Sequence, residues 1–307
     1  MNHSNEDEVA IGIDLGTAAS CVAIFSNGSI ITIPSLQGDS TQPSYLAFGN
    51  NYPFLRGEEA KRQAHIDPCN TIFDAKRMLG LAFNDPAIQE DSKLWPFKVV
   101  EGFGGMAAVE VQIRNGDETT GTESKIFQPV EILAMTLRLM KETAETYLGH
   151  KVTSAVVTCP AYYSTAQRLL TQDACSIAGL QLLRMINEPT AAAVAYGFTN
   201  TGSTHQKEQN TLVFDLGGGS FDVSLLVLDG GVTEVIATAG NNHLGGQDFV
   251  QRMMNHCVNE FKERNTGKDP TTSLRAMANL REACEQAKRK LSGAETAVIE
   301  IKDFFEG

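Results

Sequence analysis

Residues 211–220 read Thr-Leu-Val-Phe-Asp-Leu-Gly-Gly-Gly-Ser, and residues 9–17 read Val-Ala-Ile-Gly-Ile-Asp-Leu-Gly-Thr. Each is a run rich in β-branched or aromatic residues, the pattern of a strand, that ends in an aspartate, a glycine turn and a hydroxyl. Glycine lets backbone N–H groups approach an anion closely, and a hydroxyl adds a further donor. A carboxylate can hold a hydrated divalent cation against phosphate oxygens. Two such turns facing each other form a clamp for one polyphosphate. A single Asp-Leu-Gly is commonly only a turn. The recurrence, Asp14-Leu15-Gly16-Thr17 and Asp215-Leu216-Gly217-Gly218-Gly219-Ser220, is what carries the reading. Neither Gly-x-x-x-x-Gly-Lys-Ser/Thr nor Gly-x-Gly-x-x-Gly occurs, which removes support from phosphate-loop and dinucleotide-binding readings.

Outward from these turns the chain repeats itself. Residues 9–13, 21–25 and 30–33, the last two joined by Asn27-Gly28, predict an antiparallel three-strand meander. Residues 211–214, 221–228 and 232–238, with Asp229-Gly230-Gly231 at a turn, predict a second. After the first meander, short helices at 58–65 and 73–79 and a hairpin at Asn115-Gly116 read as an insertion. Pro129 then opens an amphipathic helix, with Val130, Leu133, Leu137, Met140, Ala144 and Leu148 at 3.6-residue spacing until Gly149. A strand at 155–158 follows, then a helix opened by Ser164 and Gln167 and closed by Gly179. A strand at 182–186 and a helix from Pro189 to Gly197 complete the first copy, giving an α/β fold. The second meander is followed by two long helices, about 246–264 and 273–291, and by a strand at 296–301. The alternation that completes the first copy has no counterpart before Gly307, so the second copy is expected to be incomplete.

At 307 residues and 42% hydrophobic content the chain can build packed cores. Lys and Arg number 25 against 37 Asp and Glu, and the formal charge of −12 repels nucleic acid and anionic membranes. Neither is expected as a partner. Residues 1–8 are acidic and polar rather than a secretory signal, and no apolar run is long enough to span a bilayer, so a cytoplasmic location is expected. Cys21, Cys69, Cys159, Cys175, Cys257 and Cys284 have neither disulfide-framework nor zinc spacing and are expected as reduced, mostly buried thiols.

Stretches 11–20, 70–80, 156–163, 186–197, 213–224, 243–249 and 281–292 resemble, in order and spacing, the signature segments of heat shock protein 70 chaperones. The pair Asn187-Glu188-Pro189-Thr190-Ala191-Ala192-Ala193 and Phe214-Asp215-Leu216-Gly217-Gly218-Gly219 is specific to that family. The resemblance implies an actin-like ATPase (ribonuclease H-like) fold of two lobes with ATP or ADP between them. Lobe I would be residues 1–200, with about 35–124 inserted. A partial lobe II would be 201–307, with a helical subdomain at about 243–307 and the peptide-binding domain absent. The resemblance further implies that Asp14 and Asp215 hold Mg²⁺ through water, with Asp222 and Glu188 completing the carboxylate cluster and K⁺ fitting beside Asp14 and Asp222. Thr17 and Ser220 would offer hydroxyls, and Gly16, Ala18, Ala19, Gly217, Gly218, Gly219 and Gly245 would belong to the same nucleotide site. Lys76 would lie near the γ-phosphate and the attacking water, where a buried cation stabilises developing charge.

Glu285, Lys288, Arg289 and Ser292 share one face of the last long helix, beside an apolar row of Met277, Cys284, Ala287 and Leu291. Spacing alone makes that face a salt-bridged surface. The resemblance implies that it binds ribose and adenine, with Arg289 stacked on the base. It also implies J-domain co-chaperones and nucleotide-exchange factors as partners, and client polypeptides only through the missing C-terminal domain. Pro160 and Arg168 match positions the family uses to relay nucleotide state, and Arg184 is expected to serve the same coupling. Departures from the pattern are Ala18-Ala19, Gln247 and Val250; the last two put lobe-to-lobe contacts at the cleft mouth in question. Two other readings stay open: a truncated, catalytically weak module that binds co-chaperones, and an actin-like small-molecule kinase.

Overall fold

The computed structural model describes residues 9–49, 54–114, 122–199, 208–229 and 232–305. The first meander consists of β1 (Ile11–Asp14), β2 (Ala19–Ser26) and β3 (Ser29–Ile33), paired antiparallel in sequence. Asn27 and Gly28 turn β2 into β3 with φ of 51° and 78°, the left-handed pair that a two-residue Asn-Gly hairpin requires. The insertion then runs through β4 (Gln42–Pro43), β5 (Leu46–Ala47), β6 (Leu55–Arg56), α1 (Glu58–Gln63), β7 (Thr71–Ile72), α2 (Ala75–Met78) and α3 (Pro86–Asp91). It ends in β8 (Lys98–Glu101), β9 (Ala107–Arg114) and β10 (Thr122–Phe127), which form their own sheet in the order β10-β9-β8. Asn115-Gly116 lies outside the described residues; β9 and β10 on either side of it pair antiparallel.

The helix α4 (Pro129–Leu148) ends at Gly149, which sits in the left-handed region at φ 76°. Its Leu137, Met140 and Ala144 are fully buried against the sheet built on the first meander. Next, β11 (Ser154–Cys159) pairs parallel to β1. The helix α5 (Thr165–Ile177) starts at the reciprocal Ser164–Gln167 cap, and β12 (Gln181–Asn187) pairs parallel to β11. The sheet order is β12-β11-β1-β2-β3, with β4 on β2. The following helix, α6 (Glu188–Thr199), continues past Gly197 instead of stopping there. A helical glycine costs only about 1 kcal/mol relative to alanine, too little by itself to end a helix.

The second meander, β13 (Gln209–Leu216), β14 (Phe221–Asp229) and β15 (Val232–Asn241), is a separate three-stranded sheet. Then come α7 (Gly246–Arg264) and α8 (Leu274–Leu291), with Ser273 capping α8 through its hydroxyl. They pack through Val250, Met254, Val258, Leu280 and Cys284. Residues 296–301 form no strand: no strand among the described residues pairs with them, and Ile299 and Ile301 pack instead on the α7–α8 core. Leu291, on the last turn of α8, is 45% exposed. Only Cys159, Cys175 and Cys284 are buried; Cys21 and Cys257 are half-buried and Cys69 is exposed.

Candidate functional site

The two glycine turns come together. A Cβ on Gly16 would lie 2.1 Å from the Ala19 carbonyl oxygen, so this turn closes only with glycine. A Cβ on Gly219 would meet Thr17 Cγ2 at 2.6 Å, and one on Gly218 would meet Ala18 Cβ at 2.5 Å. A Cβ on Gly245 would in turn run into the Gly218 backbone at 2.5 Å. The backbone N–H groups of Gly246 and Gln247 donate to the Gly217 and Gly218 carbonyls, both at 2.9 Å. The start of α7 is thereby hydrogen-bonded to the second turn, while glycine keeps the first turn in contact with it.

A cluster of acids surrounds this junction. Asp14, at the end of β1, accepts from the Thr158 hydroxyl at 2.6 Å, and that hydroxyl oxygen accepts from the Leu15 N–H at 3.1 Å. Asp215 stands opposite Asp222 in the β13–β14 register, a placement that sets two like charges side by side. Burial and the neighbouring Asp14 push the Asp215 carboxyl above its ordinary range. Burial and Asp215 do the same to Asp222, against the Ala161 N–H. Glu188, at the start of α6, is raised by burial and by Asp14 and Asp215, with Lys76 partly offsetting them.

Among the described residues, Lys76 is the cation set into this cluster. Its ammonium donates to Glu188 Oε1 at 2.9 Å and to the Leu15 carbonyl, and it lies 5.7 Å from the Tyr163 ring centroid. Burial works against its charge, yet Glu188 and Tyr163 hold it above the usual lysine range. Lys76 is placed by the short helix α2, which starts at Asp74 in the left-handed region, φ 55°. The Asp74 carboxylate is buried and accepts from the Trp95 indole N–H at 3.4 Å.

On the other side, a cavity of about 240 Å³ is lined by Ala18, Ala19, Gln247, Glu285 and Arg289, among others. Glu285 accepts from Arg289 at 2.6 Å and pairs with Lys288 at 2.7 Å. These partners outweigh its partial burial and keep it below the ordinary carboxylate range. Lys288 also donates to the Gly246 carbonyl at 3.2 Å. Ser292 caps the end of α8, exposed. Of the stripe, Glu285 and Arg289 line the cavity, while Lys288 and Ser292 do not.

Arg77, Asp91 and Asp248 were not anticipated. Arg77 donates to both Asp248 oxygens, at 3.1 and 2.6 Å, and to the Gly219 carbonyl at 3.4 Å; Asp91 stands 3.8 Å away and also contacts His243 at 3.0 Å. Gln247 lines the cavity and Val250 is buried in the α7–α8 core, so contact across the cleft mouth passes through Asp248. Arg168 gathers the Pro160 and Ala161 carbonyls, Asn187 Oδ1 and Cys159 Sγ. The Tyr162 hydroxyl donates to the Thr238 carbonyl at 2.9 Å. Arg184 is exposed on β12 and joins none of these bonds.

Fold and site together define a mixed α/β protein whose duplicated meanders bring two glycine turns to one carboxylate cluster. Residues 10–306 match the family model described as Hsp70 protein. The chain is 50% identical over 298 residues to the heat shock 70 kDa protein of Neurospora crassa, covering 97% of this chain and 44% of that protein. It is 49% identical over 300 residues to the human putative heat shock 70 kDa protein 7, covering 98% of this chain and 78% of that one. The chain belongs to the Hsp70 family. Members of that family are ATPases that bind ATP or ADP with Mg²⁺. The chain spans less than half the length of the Neurospora relative. No helix among the described residues is long and apolar enough to cross a membrane.

Proposed function

We propose that this chain is the ATP-binding and ATP-hydrolysing module of a heat shock 70 type chaperone, in an actin-like, ribonuclease H-like arrangement of two lobes. Residues 1–200 make the first lobe, with about 35–124 inserted, and residues 201–307 make part of the second, with a helical subdomain at about 243–307. The observation that carries this reading is the buried Lys76–Glu188 pair, 2.9 Å apart, among the carboxylates of Asp14, Asp215 and Asp222 and beside the glycine turns.

The residues fit a magnesium-bound triphosphate. Asp222 Oδ1 is buried with no hydrogen-bond partner, and only glycine lets the two turns pack this closely beside it. Mg²⁺, when bound, supplies charge neutralisation at the phosphates, and K⁺ beside Asp14 and Asp222 is part of the same proposal. The protein's own groups divide the remaining work. Thr158 fixes the Asp14 carboxylate. The backbone N–H groups of residues 16–19, 218 and 219, with the Thr17 and Ser220 hydroxyls, bind phosphate oxygens; the Gly217 N–H, expected among them, donates instead to the Ser220 carbonyl at 2.9 Å. Lys76 stabilises charge developing on the transferred phosphoryl group, and Glu188 orients both the ammonium and the attacking water. Arg289 stacks on the base, and Glu285, Lys288 and Ser292 take the ribose side.

The partners proposed are J-domain co-chaperones and nucleotide-exchange factors, the latter gripping α7 and α8. Coupling of turnover to protein folding is part of the same proposal. Single-turnover hydrolysis of γ-labelled ATP tests the reading. Lys76→Ala should keep ATP binding and lose hydrolysis, and unchanged turnover in that variant removes Lys76 from the mechanism.

A further inference from the structure

A second cavity, also about 240 Å³, lies on the far side of the wall that bounds the one beside Ala18 and Arg289. Tyr45, Lys61, Arg281 and Glu282 line both and form the partition. Part of the second is apolar: Tyr45, Phe73 and Trp95 from the insertion line it together with Met254 of α7 and Met277 of α8. Tyr45 and Phe73 stack at 5.1 Å between centroids, and all three rings are buried. A dry cavity of roughly 150 Å³ accepts one benzene ring, so this one has room for a bicyclic ring system.

The polar groups around it are nearly all committed. Lys61 pairs with Glu282 at 3.1 Å, Lys93 pairs with Glu90 at 2.6 Å, and His65 meets Asn279 Oδ1 at 3.0 Å. Arg281 is different. It lies over the Phe73 ring at 5.3 Å, and one terminal nitrogen, Nη2, donates to the Leu94 carbonyl and to Gln251 Oε1, both at 3.2 Å. It has no carboxylate within ion-pair range among the described residues, and its Nε and Nη1 hydrogens are unassigned to any acceptor there. A guanidinium with spare donors beside aromatic walls matches a planar ligand carrying one carboxylate or sulfonate.

We infer that this cavity is a binding site for a compact planar aromatic monoanion, distinct from the nucleotide site and sharing a wall with it. The ring slots between the insertion's aromatics and the two methionines, and the anion meets Arg281. Because the cavity spans the insertion and the α7–α8 pair, an occupant bridges them.

The inference goes beyond the nucleotide reading, and its test is run without nucleotide, so either can fail while the other stands. Trp95 is the only tryptophan in the chain and lines the cavity, so its fluorescence reports occupancy directly. Titration with 2-naphthoate should change that emission saturably, with one site by calorimetry. The neutral 2-naphthylmethanol should bind at least about tenfold more weakly. Arg281→Met should erase that preference, and Ala278→Phe, which fills the cavity, should abolish binding of both probes. Thr271→Trp, at the exposed mouth, is a second blocking variant that leaves the packed walls intact; its binding is followed by calorimetry because it adds a fluorophore. Absence of saturable binding, equal affinity of the two probes for the wild-type protein, or undiminished binding to the blocked variants would each overturn the inference.

Discussion

Asp215 and Asp222 stand directly opposite each other where β13 and β14 lead into the glycine turn, and one oxygen of Asp222 is buried with nothing to accept from. In the first meander the corresponding partner of Asp14 is Cys21, so the second meander concentrates the negative charge. Without a cation, the arrangement is one of repulsion held in place by the sheet.

Adding Mg-ATP should therefore stabilise the chain. At a free ligand concentration a hundredfold above Kd the gain is about 2.7 kcal/mol, several degrees in melting temperature for a protein of this size. Asp215→Asn should melt higher than wild type in the absence of ligand, because it removes one of two opposed charges, and should show at most half the ligand-induced shift. Differential scanning calorimetry with and without Mg-ATP reads both effects.

The Lys76–Glu188 pair should respond to mutation as a unit. Removing only the lysine strands Glu188 in a buried site, and breaking such pairs costs about 3–5 kcal/mol. Lys76→Met combined with Glu188→Gln should recover most of that stability while remaining without hydrolysis. Urea denaturation of the three variants separates the structural contribution from the chemical one.

Gly245 and Gly197 offer a matched contrast. Alanine at Gly245 would force its Cβ into the Gly218 backbone at 2.5 Å, whereas at Gly197 nothing lies within 4 Å. Gly245→Ala should cost about 1–3 kcal/mol, the usual range for overpacking, and weaken ATP binding by spreading the turn. Gly197→Ala, inside α6, should stabilise by about 0.4–1 kcal/mol. Thermal melts give the signs, and nucleotide titration isolates the turn.

Asp74 gives a pH signature remote from the carboxylate cluster. Burial raises its carboxyl above the ordinary range, with Arg77 and Arg281 only partly offsetting it. An acid with a raised folded-state pKa contributes full stability below its unfolded pKa and loses it as pH rises through the folded value. Asp74→Asn, which also suits a left-handed backbone, should be more stable than wild type at pH 7. That advantage should shrink towards zero as pH falls below about 4. Denaturant midpoints of both proteins across this range provide the check.

What could be read from sequence was what is encoded locally. Asn27-Gly28, the Ser164–Gln167 cap and the Gly149 stop each act within a few residues, and each lies where expected. The Asp-Leu-Gly recurrence was legible because two meanders repeat one local pattern. Residues 296–301 look like a strand in composition, but a strand exists only with a partner, and pairing is not a local property. The Arg77–Asp248 contact joins positions 171 residues apart, and nothing around either residue announces the other. Lys76 drew attention through family resemblance, while its neighbour Arg77, equally buried, did not.

Arg77 is anchored on the insertion and grips two things at once: Asp248 near the start of α7 and the Gly219 carbonyl of the second turn. The Gly246 and Gln247 N–H groups also tie the start of α7 to the Gly217 and Gly218 carbonyls, so an outward swing of α7 carries the turn with it. Arg77 is then the latch between that pair and the insertion, and its release frees helix and turn together.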